Sequence, residues 1–127
     1  MQREIKFRAW DKENKEFVPT DILINANGEI TRVDTGREWT DVDHLDIFEL
    51  MQYTGLKDKN GKEIYEKDLV KDGNGKIAVI EWHDLRASWI FCDEEFNELL
   101  FEKTLLLLEV VGNIYEHPEL LETRKTA

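Results

Sequence analysis

Asp41-Val42-Asp43-His44-Leu45-Asp46 gathers three carboxylates and an imidazole, the groups that bind divalent cations or exchange protons. On an extended strand Asp41 and Asp43 share a face and His44 points away from both. Asp41, Asp43 and His44 are therefore the candidate metal ligands, and a metal-dependent enzyme built on them is the catalytic alternative. A calcium loop of the EF-hand kind starting at Asp41 needs an oxygen ligand at position 45, glycine at 46 and glutamate at 52. The chain has Leu45, Asp46 and Gln52 there, so the expectation is a solvated acidic loop.

Nucleophiles are as sparse. Cys92, the single thiol, precedes Asp93, Glu94 and Glu95, whose charge opposes thiolate formation, and it reads as a buried structural cysteine. His44, His83 and His117 are scattered near turns, at no metal or triad spacing. Gly73-Asn74-Gly75-Lys76 resembles a phosphate loop but lies between two strands, and a hairpin turn explains it better. No nucleophile elbow, Walker lysine, dinucleotide fingerprint or zincin motif is present. No catalytic residue and no cofactor is expected.

Binding is the better prospect. Trp82 and Trp89 flank a turn at 83–88 and would stand opposite one another. Such a pair is packing, or an aromatic platform for a peptide or base; the surrounding acidity disfavours a base. Trp82, Trp89, Ile77 and Val79 are the candidate binding or interface residues.

The elements that must carry these residues are short and β-rich. Turn signals recur at 11–15, 25–28, 58–61 and 72–75, and in the last three Asn or Asp next to Gly supplies the positive φ of a hairpin turn. A mostly-β chain, sandwich or small barrel, is expected. Asp93 to Lys103 places Phe96, Leu99 and Leu100 at helical spacing behind a capping Asp93, which predicts a short helix. Val42 to Met51 reads as an irregular approach to a strand near Phe48–Tyr53. Pro118 opens a helical turn over Glu119–Glu122, before the polar tail Thr123–Ala127. In Lys76–Trp82, Ser88–Cys92 and Leu105–Val111 both faces are apolar, so a second layer must cover the outer face. Either residues 1–50 or another copy of the chain supplies it, the latter making a homo-oligomer.

Composition narrows the partners. The 127 residues (15.0 kDa) are 41% hydrophobic and 35% charged, enough for one ordinary domain or two small lobes. Net charge is −11, and it is lopsided: seven basic against eight acidic side chains in 1–40, five against nine in 41–72, five against eleven in 73–127. That balance argues against DNA, RNA and anionic membranes, whose binding rests on cation–phosphate contacts. Between 93 and 122 Lys103 stands alone against nine acids, which form a solvated face, a docking surface for a basic partner, or an imitation of DNA phosphates that inhibits a host DNA-binding enzyme. A single cysteine suits a reducing compartment, the polar start is no signal peptide, and Leu105–Leu108 is far too short to span a membrane. A soluble, cytoplasmic protein is expected.

Three stretches carry a resemblance. Arg3-Glu4-Ile5-Lys6-Phe7-Arg8-Ala9-Trp10-Asp11, the segment Leu50-Met51-Gln52-Tyr53-Thr54-Gly55-Leu56-Lys57-Asp58-Lys59-Asn60-Gly61-Lys62-Glu63-Ile64-Tyr65-Glu66, and Val111-Gly112-Asn113-Ile114-Tyr115-Glu116-His117-Pro118-Glu119-Leu120-Leu121 together resemble the YopX-type family of phage and prophage proteins. The resemblance implies an SH3-like small barrel over about residues 55–118, in line with the strands read between Ile64 and Ile114. The chain would then divide into an N-terminal β-hairpin segment (1–54), the barrel (55–118) and a short helical turn with its tail (119–127). It brings no catalytic residue, and its phage context implies a small accessory protein inside an infected or lysogenic bacterium. One departure stands out: the family pattern Tyr-Glu-Gly-Asp has Lys67 in place of glycine. If that position needs φ > 0, Lys67 carries a backbone cost of about 1 kcal/mol. The expected function is a non-enzymatic protein-binding or self-assembling module, with a homo-oligomer or a host protein as partner.

Overall fold

A computed structural model describes residues 4–19, 21–34, 38–42, 47–93, 97–100 and 106–121. The chain is mostly β, with one short helical turn among the described residues, and it separates into two compact units, Lys6–Gln52 and Tyr53–Ala127 with Met1–Ile5. Among the described residues every strand pairing is antiparallel.

In the first unit, β1 (Phe7–Asp11) pairs with β2 (Glu16–Phe17) and with the start of β6 (Phe48–Lys57). A three-stranded sheet follows the order β3 (Ile22–Ile24), β4 (Ile30–Asp34), β5 (Trp39–Asp41). The core here is thin. Ala9, Ile30 and Val33 are buried, with half-buried Val18, Ile22, Ile24, Val42, Phe48 and Leu50 around them.

In the second unit, the rest of β6 pairs with β7 (Glu63–Tyr65). A five-stranded sheet, in the order β11 (Asn97–Leu99), β10 (Ser88–Cys92), β9 (Ile77–His83), β8 (Asp68–Lys71), β12 (Glu109–Asn113), curls into a half-barrel where a small barrel was expected. Ile64, Val70, Ala78, Ile80, Phe91, Leu100, Leu108 and Val110 fill it, with Leu56 and Trp89 packed against them. Residues 118–121 form the helical turn behind Pro118.

Three hairpin loops repeat one device: Asn25–Glu29, Asp58–Lys62 and Asp72–Lys76 share the pattern Asn/Asp-x-Asn-Gly-Glu/Lys. In each, the first side-chain Oδ1 accepts the N–H of the residues two and four positions on. The first backbone N–H donates to the fifth carbonyl, and the glycine N–H donates back to the first carbonyl. The side chain thereby replaces the turn's missing backbone acceptors. The positive φ falls on Gly28, Gly61 and Gly75, not on Asn or Asp as the sequence suggested. The loop after β1 has no glycine, and Lys15 takes φ 55° there.

A wide irregularity interrupts β6. Tyr53 pairs with Tyr65 and Lys57 with Glu63, so one strand carries two more residues than its partner between these points. Gly55 absorbs the excess at φ 86°, where a Cβ would be strained. The buried Thr54 hydroxyl repairs the ladder, donating to the Ile64 carbonyl at 2.8 Å and accepting the Leu56 N–H at 3.1 Å.

Two expectations are corrected. Within 93–103, Asn97–Leu99 is a strand and not a helix; residues 94–96 and 101–103 lie outside the described ones. Leu99 stands opposite Ile90, and the Leu100 N–H donates to the Trp89 carbonyl, so pairing with β10 outweighs helical spacing. Of the run Leu105–Val111, among the described residues only Glu109–Val111 is strand, in β12, and residues 106–107 form a turn. Leu106 and Leu107 turn outward, 72% and 60% exposed, while Leu108 beside them is buried. Leu69, Val79 and Ile90, on the outer face of the five-stranded sheet, are buried within this single chain.

Candidate functional site

The β9–β10 hairpin brings the two tryptophans together because Trp82 and Trp89 are direct cross-strand partners. Their rings meet edge to face, centroids 5.2 Å apart at 74°. Alternation places Trp82 on the core side behind Ala78 and Ile80, yet it lies beyond the filled part of the half-barrel and stays 45% exposed. At the hairpin tip Leu85 is 95% exposed, and the His83 Nδ1 accepts the Arg86 N–H to hold the turn. The result is an apolar projection with a rigid aromatic base.

The other interface candidates sit differently. Val79 is 8% exposed and Ile77 half-buried, so the exposed apolar surface of this hairpin is Trp82 and Leu85 rather than the outer face of β9. Alternation alone could not show this, since burial of a face depends on what the rest of the chain covers.

Of the acidic candidates, only Asp41 lies among the described residues. Asp41 is exposed on β5 and bridges the Arg32 Nε at 3.0 Å; Asp43 and His44 lie outside the described residues. Among the described residues no group of three His, Cys, Asp or Glu could hold a metal ion. The half-buried Cys92 thiol donates to the Glu81 carboxylate at 3.5 Å, and Lys67 Nζ lies 3.3 Å from that carboxylate's other oxygen. His117 packs beside Gly112, its Nδ1 3.4 Å from the Asn113 N–H. In the acidic stretch, Asp93 is ion-paired to Lys76 at 3.6 Å, Glu116 accepts from the Asn113 side chain at 2.8 Å, and Glu98 is exposed on the edge strand. Glu94, Glu95, Glu102 and Glu122 lie outside the described residues.

Sequence reasoning passed over the buried polar residues Thr54, Asp58, Asp68 and Asn113. Asn113 Oδ1 accepts the N–H groups of Tyr115 and Glu116, and Asp68 accepts the Tyr65 N–H at 2.8 Å. Each satisfies backbone donors at a strand end, a structural task. Lys67 does have positive φ, 70°. Its N–H donates to the Ile80 carbonyl and its carbonyl accepts the Ile114 N–H, so the strained residue is held from both sides.

With a five-stranded half-barrel and the irregular β6 in view, the comparisons are informative. Residues 6–122 match the family model described as YopX protein, and the chain belongs to that family. Its fold is similar to that of protein EF1440 from Enterococcus faecalis, with TM-score 0.75 and 27% identity over 94% of this chain and 99% of that one. It is also similar to protein yopX from Bacillus subtilis, with TM-score 0.62 and 19% identity over the same shares, a likeness of fold alone. A search of curated proteins finds no match. Among the described residues no helix is long and apolar enough to cross a membrane.

Proposed function

We propose that this chain is a small non-enzymatic protein-binding or self-assembling module, an accessory protein of a phage or prophage acting in the cytoplasm of the bacterial host. The observation that carries this is the β9–β10 hairpin, where a half-exposed Trp82 braced by Trp89 stands beside a fully projecting Leu85. Large apolar side chains at such exposure, on a rigid aromatic base, favour burial against another protein surface. Self-association is the first form to test, giving a homo-oligomer through this hairpin; a host protein is the second. Imitation of DNA phosphates gains nothing from Asp93 and Glu116, which face internal partners, nor a metal-dependent enzyme from Asp41, which bridges Arg32.

Gel filtration with light scattering on the full chain tests this. A mass above 15.0 kDa that rises with concentration, and falls in Leu85→Ser, supports self-assembly. A mass of 15.0 kDa throughout excludes it. Capture of host proteins by the wild type and not by Leu85→Ser then supports the second form, and equal capture by both removes the hairpin from the interaction.

A further inference from the structure

We propose that Asn74 is the first site of spontaneous modification in this chain, losing its side-chain amide by ring closure onto the backbone of Gly75. Each of the three repeated loops carries an Asn-Gly step at its third and fourth positions: Asn27-Gly28, Asn60-Gly61 and Asn74-Gly75. Glycine has no Cβ to shield its amide nitrogen, so that nitrogen can reach the Cγ of the preceding asparagine. The bond from the Gly75 nitrogen to the Asn74 Cγ forms as the Cγ–NH2 bond breaks, and the leaving group takes the Gly75 amide proton to become ammonia. Water then opens the five-membered imide at either carbonyl, leaving aspartate or isoaspartate at position 74 and one more negative charge. Water is the only co-reactant, and all three asparagines are exposed to it.

The three turns resist this step unequally. In the closed turn the glycine N–H is already engaged: those of Gly28, Gly61 and Gly75 donate to the carbonyls of Asn25, Asp58 and Asp72 at 3.0, 3.0 and 3.1 Å. Ring closure therefore waits on local opening, and its rate follows how firmly each loop is tied to the rest of the chain. Loop 58–62 is tied most firmly. Asp58 accepts the Val110 N–H at 2.9 Å, and the Lys59 N–H donates to the Leu108 carbonyl at 3.1 Å. Loop 25–29 is closed across its ends, where the Asn25 side-chain amide donates to the Glu29 carboxylate at 3.1 Å. In loop 72–76 the exposed Lys76 ammonium reaches Asp93 at 3.6 Å, a pair at the tip of a long side chain that leaves the backbone of 73–75 free to move. Gly73, standing where the other loops have Ala26 and Lys59, adds backbone freedom on the other side of Asn74, and a Cβ there would meet nothing within 4 Å.

The product changes the fold locally. Isoaspartate carries the main chain through its side-chain carbon and lengthens the loop by one atom. The Lys76 N–H, 2.9 Å from the Asp72 Oδ1 in the intact loop, then loses its acceptor, and the β8–β9 hairpin loses its turn.

The test is peptide mapping by mass spectrometry of the full chain aged at mildly alkaline pH, native and in urea, with digestion at acid pH. In urea positions 27, 60 and 74 should react at like rates, since each is an Asn-Gly step. In the native chain position 74 should react first, and position 60 at least about tenfold more slowly. Asp58→Asn keeps the loop acceptor but loses the Val110 bond, and it should raise the rate at 60 relative to 74 by about threefold or more. Position 74 left intact in the native chain while the urea sample is consumed overturns the proposal, as does position 27 or 60 reacting first. An unchanged ratio of 60 to 74 in Asp58→Asn refutes the ties to the rest of the chain as the cause of the order.

Discussion

The carboxylate of Asp58 accepts the backbone N–H of Val110 at 2.9 Å, 52 positions along the chain. One oxygen organises the β6–β7 hairpin loop through Asn60 and Lys62; the other holds β12 against that loop. The Lys59 N–H, donating to the Leu108 carbonyl at 3.1 Å, reinforces the same seam. A residue that looks like ordinary turn chemistry thus joins the two ends of the second unit.

This separates Asp58 from its counterparts in the other two loops. Asp58→Asn keeps one acceptor oxygen but turns an NH2 toward a backbone donor, leaving a buried N–H unsatisfied at a cost of about 2 kcal/mol. Asp72→Asn should cost less than about 0.5 kcal/mol, because Asn25 already does the same task in the first loop. Urea midpoints of the two variants check the contrast.

Asp58 also predicts a pH dependence. Burial alone would raise its pKa, but the N–H groups of Val110, Lys62 and Asn60 and the charge of Lys62 outweigh it and hold the carboxyl below its ordinary 3.8. Because the folded value lies below the unfolded one, the contribution is present above pH 3.8 and is lost as pH falls through the folded value. Denaturation midpoints from neutral to acid pH should fall more steeply for the wild type than for Asp58→Asn. Equal slopes would deny Asp58 this role.

At Lys67 the left-handed backbone makes glycine the better residue. Lys67→Gly should raise stability by about 0.5–1 kcal/mol, even with the partly exposed ion pair to Glu81 lost. Lys67→Ala keeps the strain and loses the ion pair, so it should fall slightly below the wild type. Thermal midpoints in the order Gly, Lys, Ala confirm this; Ala at or above Gly refutes it.

Gly112 is constrained by contact. A Cβ there would collide with His117 Nδ1 and lie 2.6 Å from its Cγ, and a ring so close to its own backbone has little room to withdraw. Gly112→Ala should cost about 1–3 kcal/mol, and His117→Ala in the same chain should recover part of that loss. Purely additive effects of the two changes would show that the imidazole is not what excludes the side chain.

How much of this was legible in the sequence depended on how local its cause is. The three Asn/Asp-x-Asn-Gly loops could be placed because their side chain, acceptors and glycine lie within five residues. The direct opposition of Trp82 and Trp89 followed from a short turn between alternating strands. The 97–99 strand was misread because Phe96, Leu99 and Leu100 fit a helical face, and only hydrogen bonds to β10 choose between the two periods. The exposed Leu106 and Leu107 belong with it: an apolar run carries no record of which of its members meets a partner.

Sequence alone determined the mostly-β class, the loop chemistry, the lopsided acidity and the family, since each depends on residue type and short spacing. Tertiary structure decided that Asp58 and not Asp72 clasps β12, and that Trp82 stays open while Val79 is covered. Those outcomes depend on register and on packing between segments far apart in the chain, where a shift of one residue reverses which side chain faces which neighbour.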